Sequence, residues 1–326
     1  MDTRYWESVD DARVRCTLCP NECVIREGRS GICGVRANED GVLSLPFYAR
    51  ASAIALDPIE KKPLFHFHPG QPILSIGFLG CSLRCPYCQN YSISQSTTSR
   101  TERVTPAELV KMARDRGSFA IAYTYNEPTI HAEFVLEAGR LAHEAGLANV
   151  LVSAGYVNEA AAEDLLDVID AANVDLKGFQ PDFYRKELGA KLDPVKEFIS
   201  AAARRIHLEV TSLIIPGKND TDEEVEAMAR FLGELDPNIP YHLSAYYPTY
   251  KYTRTATPPQ QIVHLKKLAQ RHLAYVYPGN IRGEADTLCP NCSTLIVRRQ
   301  GYATEVIGLA DGHCASCRHE IPIVVD

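Results

Sequence analysis

From Pro72 to Gln95 the chain reads Pro-Ile-Leu-Ser-Ile-Gly-Phe-Leu-Gly-Cys-Ser-Leu-Arg-Cys-Pro-Tyr-Cys-Gln-Asn-Tyr-Ser-Ile-Ser-Gln. A short apolar run is followed at once by Cys81, Cys85 and Cys88. The pattern predicts a buried strand delivering three thiolates to a loop at its carboxyl end, where open α/β sheets and barrels keep their chemistry. Gly80 and Pro86 turn that loop, so the three sulfurs surround one centre. A closed structural zinc site takes four protein ligands, whereas three thiolates leave a position for something other than protein. Inert buried thiols, or half of a split zinc site, is the competing reading of the same residues.

Outward from this loop, residues 73 to 279 alternate between apolar strands and amphipathic helices. Strands are predicted over 73–79, 119–124, 149–154, 174–177, 208–214 and 242–246, with a terminal strand over 272–277. Helices fall between them. One opens at Thr105 with Glu108 three residues on, a capping box. Others run from Pro128 to Gly146 and over 159–169, 195–204, 222–235 and 259–271. Strands alternating with helices imply right-handed crossovers and a parallel sheet, here a partial (βα)6 TIM-like barrel of the α/β class. The expected division is a cysteine-rich N-terminal lobe with its connecting segment (1–70), the barrel (71–286) and a ribbon tail (287–326). The stretch Ala49 to Gly70, broken by Pro58 and Pro63 before its Pro69-Gly70 turn, reads as loop with short pieces of order. Asp57, Glu60, Lys61, His66 and His68 are concentrated in it.

The chain has 326 residues, 45% apolar and 23% charged, the proportions of a soluble globular protein. A net charge of −7 gives no electrostatic reason to expect nonspecific nucleic-acid binding. Nothing resembles a membrane span or a signal peptide, so a cytoplasmic protein is expected. Eleven cysteines in a reducing compartment argue for metals over disulfides, and they fall into groups of four, three and four. The first group, Cys16, Cys19, Cys23 and Cys33, makes a metal-stapled lobe for which zinc and a second iron-sulfur cluster both remain open. The last group pairs Cys289 and Cys292 with Cys314 and Cys317. Two Cys-x2-Cys knuckles 21 residues apart predict a ribbon-type structural zinc site.

Cys81-x3-Cys85-x2-Cys88, with Tyr87 before the last cysteine, resembles the signature of the radical S-adenosylmethionine (SAM) enzymes. The resemblance implies a [4Fe-4S] cluster on these thiolates. It also implies SAM chelating the fourth iron, reductive cleavage to a 5'-deoxyadenosyl radical, and hydrogen abstraction from a substrate that the sequence does not name. It implies Tyr87 beside the adenine. Asn126-Glu127-Pro128 is similar to the family's Gly-Gly-Glu-Pro element for the methionine amino group, with the two glycines replaced. Ser153, followed by Gly155, looks like the family's polar turn near the cofactor carboxylate, and Asp175-Leu176-Lys177 is similar to the Asp-x-Lys element of glycyl-radical activating enzymes. Alternation points Asp175 and Lys177 inward together, and Thr211 and His242 inward on the next two strands. A lone histidine in an apolar strand is more often a satisfied core residue than a catalyst.

A narrower resemblance covers nearly the whole chain. Cys16-Thr-Leu-Cys-Pro, Asp57-Pro-Ile-Glu-Lys-Lys-Pro-Leu, Tyr125-Asn-Glu-Pro-Thr, Leu213-Ile-Ile-Pro-Gly-Lys-Asn-Asp and the cysteine ribbon together look like the AmmeMemoRadiSam-system radical enzyme, a group related to pyruvate formate-lyase activating enzymes. It implies Memo-like and Ammecr-like partners and an electron donor such as a ferredoxin or flavodoxin. Two alternatives stand beside it: an activase that makes a glycyl radical on another enzyme, and a zinc-stapled scaffold without turnover.

Overall fold

The apolar runs assemble into one eight-stranded sheet in the computed structural model, which describes residues 3–10, 12–283 and 285–325. Its strands are β1 (Ala53–Pro58), β2 (Pro72–Gly77), β3 (Ala120–Tyr123), β4 (Ala148–Ser153), β5 (Ala171–Asp175), β6 (His207–Ile214), β7 (Tyr241–Ala245) and β8 (Val276–Gly279), bonded in chain order. Strands β2 to β8 are parallel and β1 alone is antiparallel to its neighbour. The edges β1 and β8 do not meet, so the sheet is the open winding of a partial barrel. Its interior strands β2 and β3 are buried almost throughout, as near-continuous apolar strands covered on both faces should be.

The crossover helices start where their sequence signals place them. Thr105 and Glu108 form the reciprocal capping box of Pro106–Asp115, and Pro106 takes the first turn. Thr221 caps Asp222–Leu235, whose first turn carries three acidic residues where the helix dipole favours them. The Pro128 segment begins as a 3-10 turn, Pro128–His131, before the helix Ala132–Glu144. Further long crossover helices span Glu159–Leu166, Asp193–Ala202 and Pro259–Ala269.

Three expectations are corrected. The stretch expected to be loop with short pieces of order supplies β1, a six-residue edge strand that tolerates Pro58 at its end and pairs with β2. The fifth strand lies at Ala171–Asp175 and not at 174–177, because Ala-Ala-Asn is a weak strand signal that the pairing with β4 and β6 overrides. The last strand is Val276–Gly279, shifted along from 272–277.

The N-terminal lobe begins with a three-stranded antiparallel sheet (Trp6–Asp10, Arg13–Cys16 and Val24–Arg26). Its Val14, Leu18 and Ile25 join the same core as Phe78, Leu79 and Leu83, so the lobe is packed onto the cysteine loop. The tail has a small core of its own, including Ile296, Val297, Ile321 and Ile323. It docks under the barrel, where Val324 bridges to Phe67 and the Arg299 guanidinium lies 4.3 Å from the Phe65 ring centroid. No helix among the described residues is long and apolar enough to cross a membrane.

Candidate active site

At the carboxyl ends of the strands lies a cleft of about 560 Å³. One wall is the loop after β2, bringing Cys81, Cys85 and Cys88 to the cleft with Tyr87. Burial pushes the Cys81 thiol well above the usual range and the Cys85 thiol up to about 11, so without a metal these groups hold their protons. A metal centre that takes them as ligands must displace those protons. The Leu83 N–H donates to Cys81 Sγ at 3.4 Å and Cys88 Sγ lies 3.1 Å from Ser94 Oγ.

Asn126 lines the cleft, yet its amide is spent on the loop itself. Oδ1 accepts from the Phe78 N–H at 2.9 Å, while Nδ2 donates to the carbonyls of Leu79 at 3.2 Å and Gly80 at 2.9 Å. It fixes the backbone immediately before Cys81. Glu127 behaves alike: Oε1 accepts from Thr129 Oγ1 at 2.8 Å and Ser153 Oγ at 2.6 Å, and Oε2 accepts from the Ala154 N–H at 2.9 Å. The carboxylate ties the end of β4 to the turn after β3. Ser153 Oγ is shared with the Gly155 N–H at 2.9 Å. These three side chains border the cleft as its braces.

Asp175 and Lys177, also lining the cleft, meet at 2.7 Å. Burial alone would lower the Lys177 ammonium, but Asp175, with Cys85 and Tyr87 nearby, holds it well above the usual lysine range. Thr211 Oγ1 and Tyr87 Oη are buried without a partner at the edge of the same space. Buried orphan hydroxyls are rare in folded proteins and mark where a ligand completes the site. Three thiols without a fourth, an ion pair, two orphan hydroxyls and a cleft of this size fit a three-thiolate cluster and a charged nucleoside cofactor.

His242 is the exception. It is absent from the cleft lining, and its Nε2 lies 2.6 Å from Glu209 Oε2 below it. Glu209, wholly buried, also accepts from the N–H groups of Phe65 and His66, both at 2.7 Å, and pairs with His207 at 3.1 Å. Burial raises this carboxyl, but the bonds from His207 and His242 outweigh that effect and hold it well below the usual range. The histidine is thus a satisfied floor residue, and the correction follows from Glu209 on β6, which the segment threaded beneath the barrel holds in place with the Phe65 and His66 N–H groups.

Asp57, Lys61, Lys62 and Tyr125 form a further wall that the sequence motifs did not single out as a site. Asp57 accepts from Lys62 at 2.8 Å and from the Tyr125 hydroxyl at 2.7 Å. Burial opposes ionisation there, yet these partners pull the carboxyl down to about 2. Tyr125 stands where the family pattern has glycine and adopts φ +70°. That conformation costs an L-residue about 1–2 kcal/mol. The bond to Asp57, the Asn90 amide on the Tyr125 carbonyl at 2.7 Å and Lys62 lying 4.6 Å from the ring centroid offset it. The visible signal was the concentration of charges between Ala49 and Gly70. From the tail, Tyr302 reaches the cleft rim and has Lys61 5.4 Å from its ring centroid.

The C-terminal cysteines form a different kind of site. One ligand atom from each of Cys289, Cys292, Cys314 and Cys317 lies within 4.8 Å of all the others. Two of the sulfur pairs are 3.6 Å apart. Four thiolates about 2.3 Å from a single tetrahedral ion would stand roughly 3.8 Å apart, so this group fits one ion.

The radical SAM superfamily profile matches residues 75–232, from β2 into the helix after β6. An uncharacterized protein of Methanocaldococcus jannaschii is 38% identical over 99% of each chain. Pyruvate formate-lyase 1-activating enzyme of Escherichia coli is 25% identical across 51% of this chain and 72% of that enzyme. Among solved structures, Streptococcus suis SuiB bound to S-adenosylmethionine superposes with a TM-score of 0.52 at 12% identity, covering 69% of this chain and 53% of that one. A radical SAM methyltransferase from Sphaerobacter thermophilus gives 0.50 at 18% identity, covering 67% and 68%. These two likenesses speak for the fold.

Proposed function

Because the chain belongs to the radical SAM superfamily, we propose that it is an enzyme whose cleft above β2 to β7 cleaves SAM reductively and directs the resulting radical at a bound substrate. The observation that carries this reading is the convergence of Cys81, Cys85 and Cys88 with Asp175, Lys177 and the orphan Thr211 hydroxyl on one cleft. Cys81, Cys85 and Cys88 would hold a [4Fe-4S] cluster, which would supply the electron for reductive cleavage of SAM. The protein's own part is binding and placement. Tyr87 offers an aromatic face beside the thiols, Thr211 an unused hydroxyl, and Asp175 with Lys177 a pair of opposite charges for the cofactor's amino and carboxylate ends. Asn126, Glu127 and Ser153 hold the two turns in register, so a cofactor there meets a pre-formed surface.

The tail would hold zinc as a structural ion, since four thiolates at this spacing fit its tetrahedral demand. A low-potential one-electron donor of the ferredoxin or flavodoxin type, and Memo-like and Ammecr-like proteins, are the partners this reading expects. A second reading, that the radical is delivered to a glycine of another enzyme, is favoured by the similarity to the pyruvate formate-lyase activating enzyme. Zinc-only scaffolding is disfavoured, because the cleft thiols do not share the tail's compact spacing.

Anaerobic reconstitution with iron and sulfide, followed by titration with SAM, tests the proposal. Saturable binding that alters the electron paramagnetic resonance spectrum of the reduced cluster is expected. Zinc in the barrel loop of anaerobically purified protein, with no SAM binding after reconstitution, would contradict it.

A further inference from the structure

One distance separates the cysteine groups. The C-terminal thiols stand within 4.8 Å of one another, as one ion requires, and among the described residues no other set of three or more cysteines is that compact. The N-terminal tetrad therefore shares the wide spacing of the barrel triad. Yet Cys16, Cys19, Cys23 and Cys33 all line a single pocket, and none is in a disulfide. Four thiols around one space, too widely set for one ion, suit a centre with several metals, each taking its own thiolate.

A second observation points into the same pocket. Arg36 lines it, is 1% exposed, and spends its terminal nitrogens on both oxygens of Glu133, at 2.8 and 3.0 Å, and on the Arg4 carbonyl. Its Nε is buried with no partner. A buried guanidinium N–H without an acceptor is costly unless an anionic group receives it. A cluster on four thiolates carries net negative charge and supplies that acceptor. The Ile32 N–H already donates to Cys23 Sγ at 3.4 Å, as the Leu83 N–H does to Cys81 in the barrel.

The pocket abuts the cysteine loop. Gly80, at φ +83°, lies so close to Cys33 that an added Cβ would come within 2.4 Å of the Cys33 carbonyl oxygen. Asn21 Nδ2 donates to the Ser82 carbonyl at 2.9 Å, and Arg84 donates to the Ile32 carbonyl. The N-terminal lobe and the cysteine loop are thus in direct contact between the two sets of thiols.

We propose that Cys16, Cys19, Cys23 and Cys33 hold a polynuclear iron-sulfur cluster, not zinc, adjacent to the barrel site. Its position suits single-electron exchange: the N-terminal cluster, reduced by a low-potential one-electron protein donor, would lose one electron and the barrel centre would gain it, with no bond made or broken. The assignment of the metal does not depend on the function proposed for the barrel.

The test removes the barrel ligands. Full-length protein carrying Cys81→Ala, Cys85→Ala and Cys88→Ala, reconstituted anaerobically, should keep iron and acid-labile sulfide in about equal amounts, with a paramagnetic signal on reduction and zinc confined to the tail. A second variant, Cys23→Ser with Cys33→Ser in an otherwise intact barrel, should lose a large share of the wild-type iron and sulfide while its zinc is unchanged. The proposal is overturned if the first variant binds no iron or sulfide, or if the second keeps its iron and loses zinc. Because the first variant lacks the barrel site, its result is read apart from any SAM chemistry.

Discussion

The two ends of the barrel carry charges, buried at the floor and partly exposed at the mouth, and treat them in opposite ways. At the floor, Glu209 has four partners, from Phe65, His66, His207 and His242, and no accessible surface. At the mouth, Lys177 has a single carboxylate partner in Asp175, and Thr211, paired in register with both Asp175 and His242, leaves its hydroxyl unbonded. A satisfied polar cluster closes a structure, whereas an unsatisfied one, opening on a cleft, is completed by a ligand. The floor is further sealed by the tail, through Arg299 on Phe65 and Val324 beside Phe67.

The largest effect should come from that seal. Cys292→Ser removes one of four thiolates from a site whose metal contributes on the order of 10 kcal/mol of folding free energy in zinc peptides. The variant should lose its tail zinc, unfold residues beyond 287 and lower the melting temperature by uncovering the floor, while the mouth still assembles its cluster. Metal analysis with differential scanning calorimetry checks this, and unchanged zinc and melting temperature would remove the distinction between tail and barrel.

Within the barrel, Glu209→Ala should destabilise by about 3–5 kcal/mol, because it strips the acceptor from a buried network. Lys177→Ala should shift stability by less than about 1 kcal/mol. Denaturant titration of both variants would break the comparison if the order came out reversed. For SAM affinity the order inverts. Lys177→Ala should weaken binding by roughly 1.5–3 kcal/mol, about ten- to a hundredfold, the worth of a charged hydrogen bond. His242→Phe should leave it unchanged, and calorimetric titration of the reconstituted proteins separates the two.

A smaller effect sharpens the floor. Burial pushes His66 down to about 3, its Nε2 lying 2.6 Å from the Tyr277 hydroxyl. An unfolded chain protonates this histidine near pH 6.5 while the folded one resists until about pH 3, so the stability it contributes is lost as pH falls through that window. His66→Gln should make stability less steep between pH 6.5 and 4.5 by about one proton, roughly 1.4 kcal/mol per pH unit. Below that range Glu209, whose carboxyl is held low, loses its contribution as well. Equal slopes in wild type and variant would mean that His66 is not held neutral at the floor.

The sequence made the mouth more legible than the floor. An apolar run ending in Cys81, a capping box at Thr105 and a charged pair two residues apart are local patterns, and each survives folding unchanged in meaning. His242 and Lys177 both read as inward polar residues, on strands two apart in the sheet, and nothing local tells them apart. What divides them is residues 63–68, which pass under the barrel and bring backbone donors to Glu209. The β1 strand is hidden for a related reason: Pro58 and Asp57 at its end suit an edge and weaken any periodic signal. Asn126 and Glu127 were visible as cleft residues, but their bracing of Phe78 to Gly80 and of Ser153 to Ala154 exists only in the folded chain.

The most direct test of the mouth as the reacting end is the yield of 5'-deoxyadenosine from anaerobically reconstituted, reduced protein supplied with SAM. Wild type should release the nucleoside, slowly even without its substrate, and the Cys81→Ala, Cys85→Ala, Cys88→Ala variant should release none while its tail keeps its zinc. Equal yields from both proteins, or no nucleoside from a wild type shown to carry a reduced cluster in the barrel loop, would contradict the account.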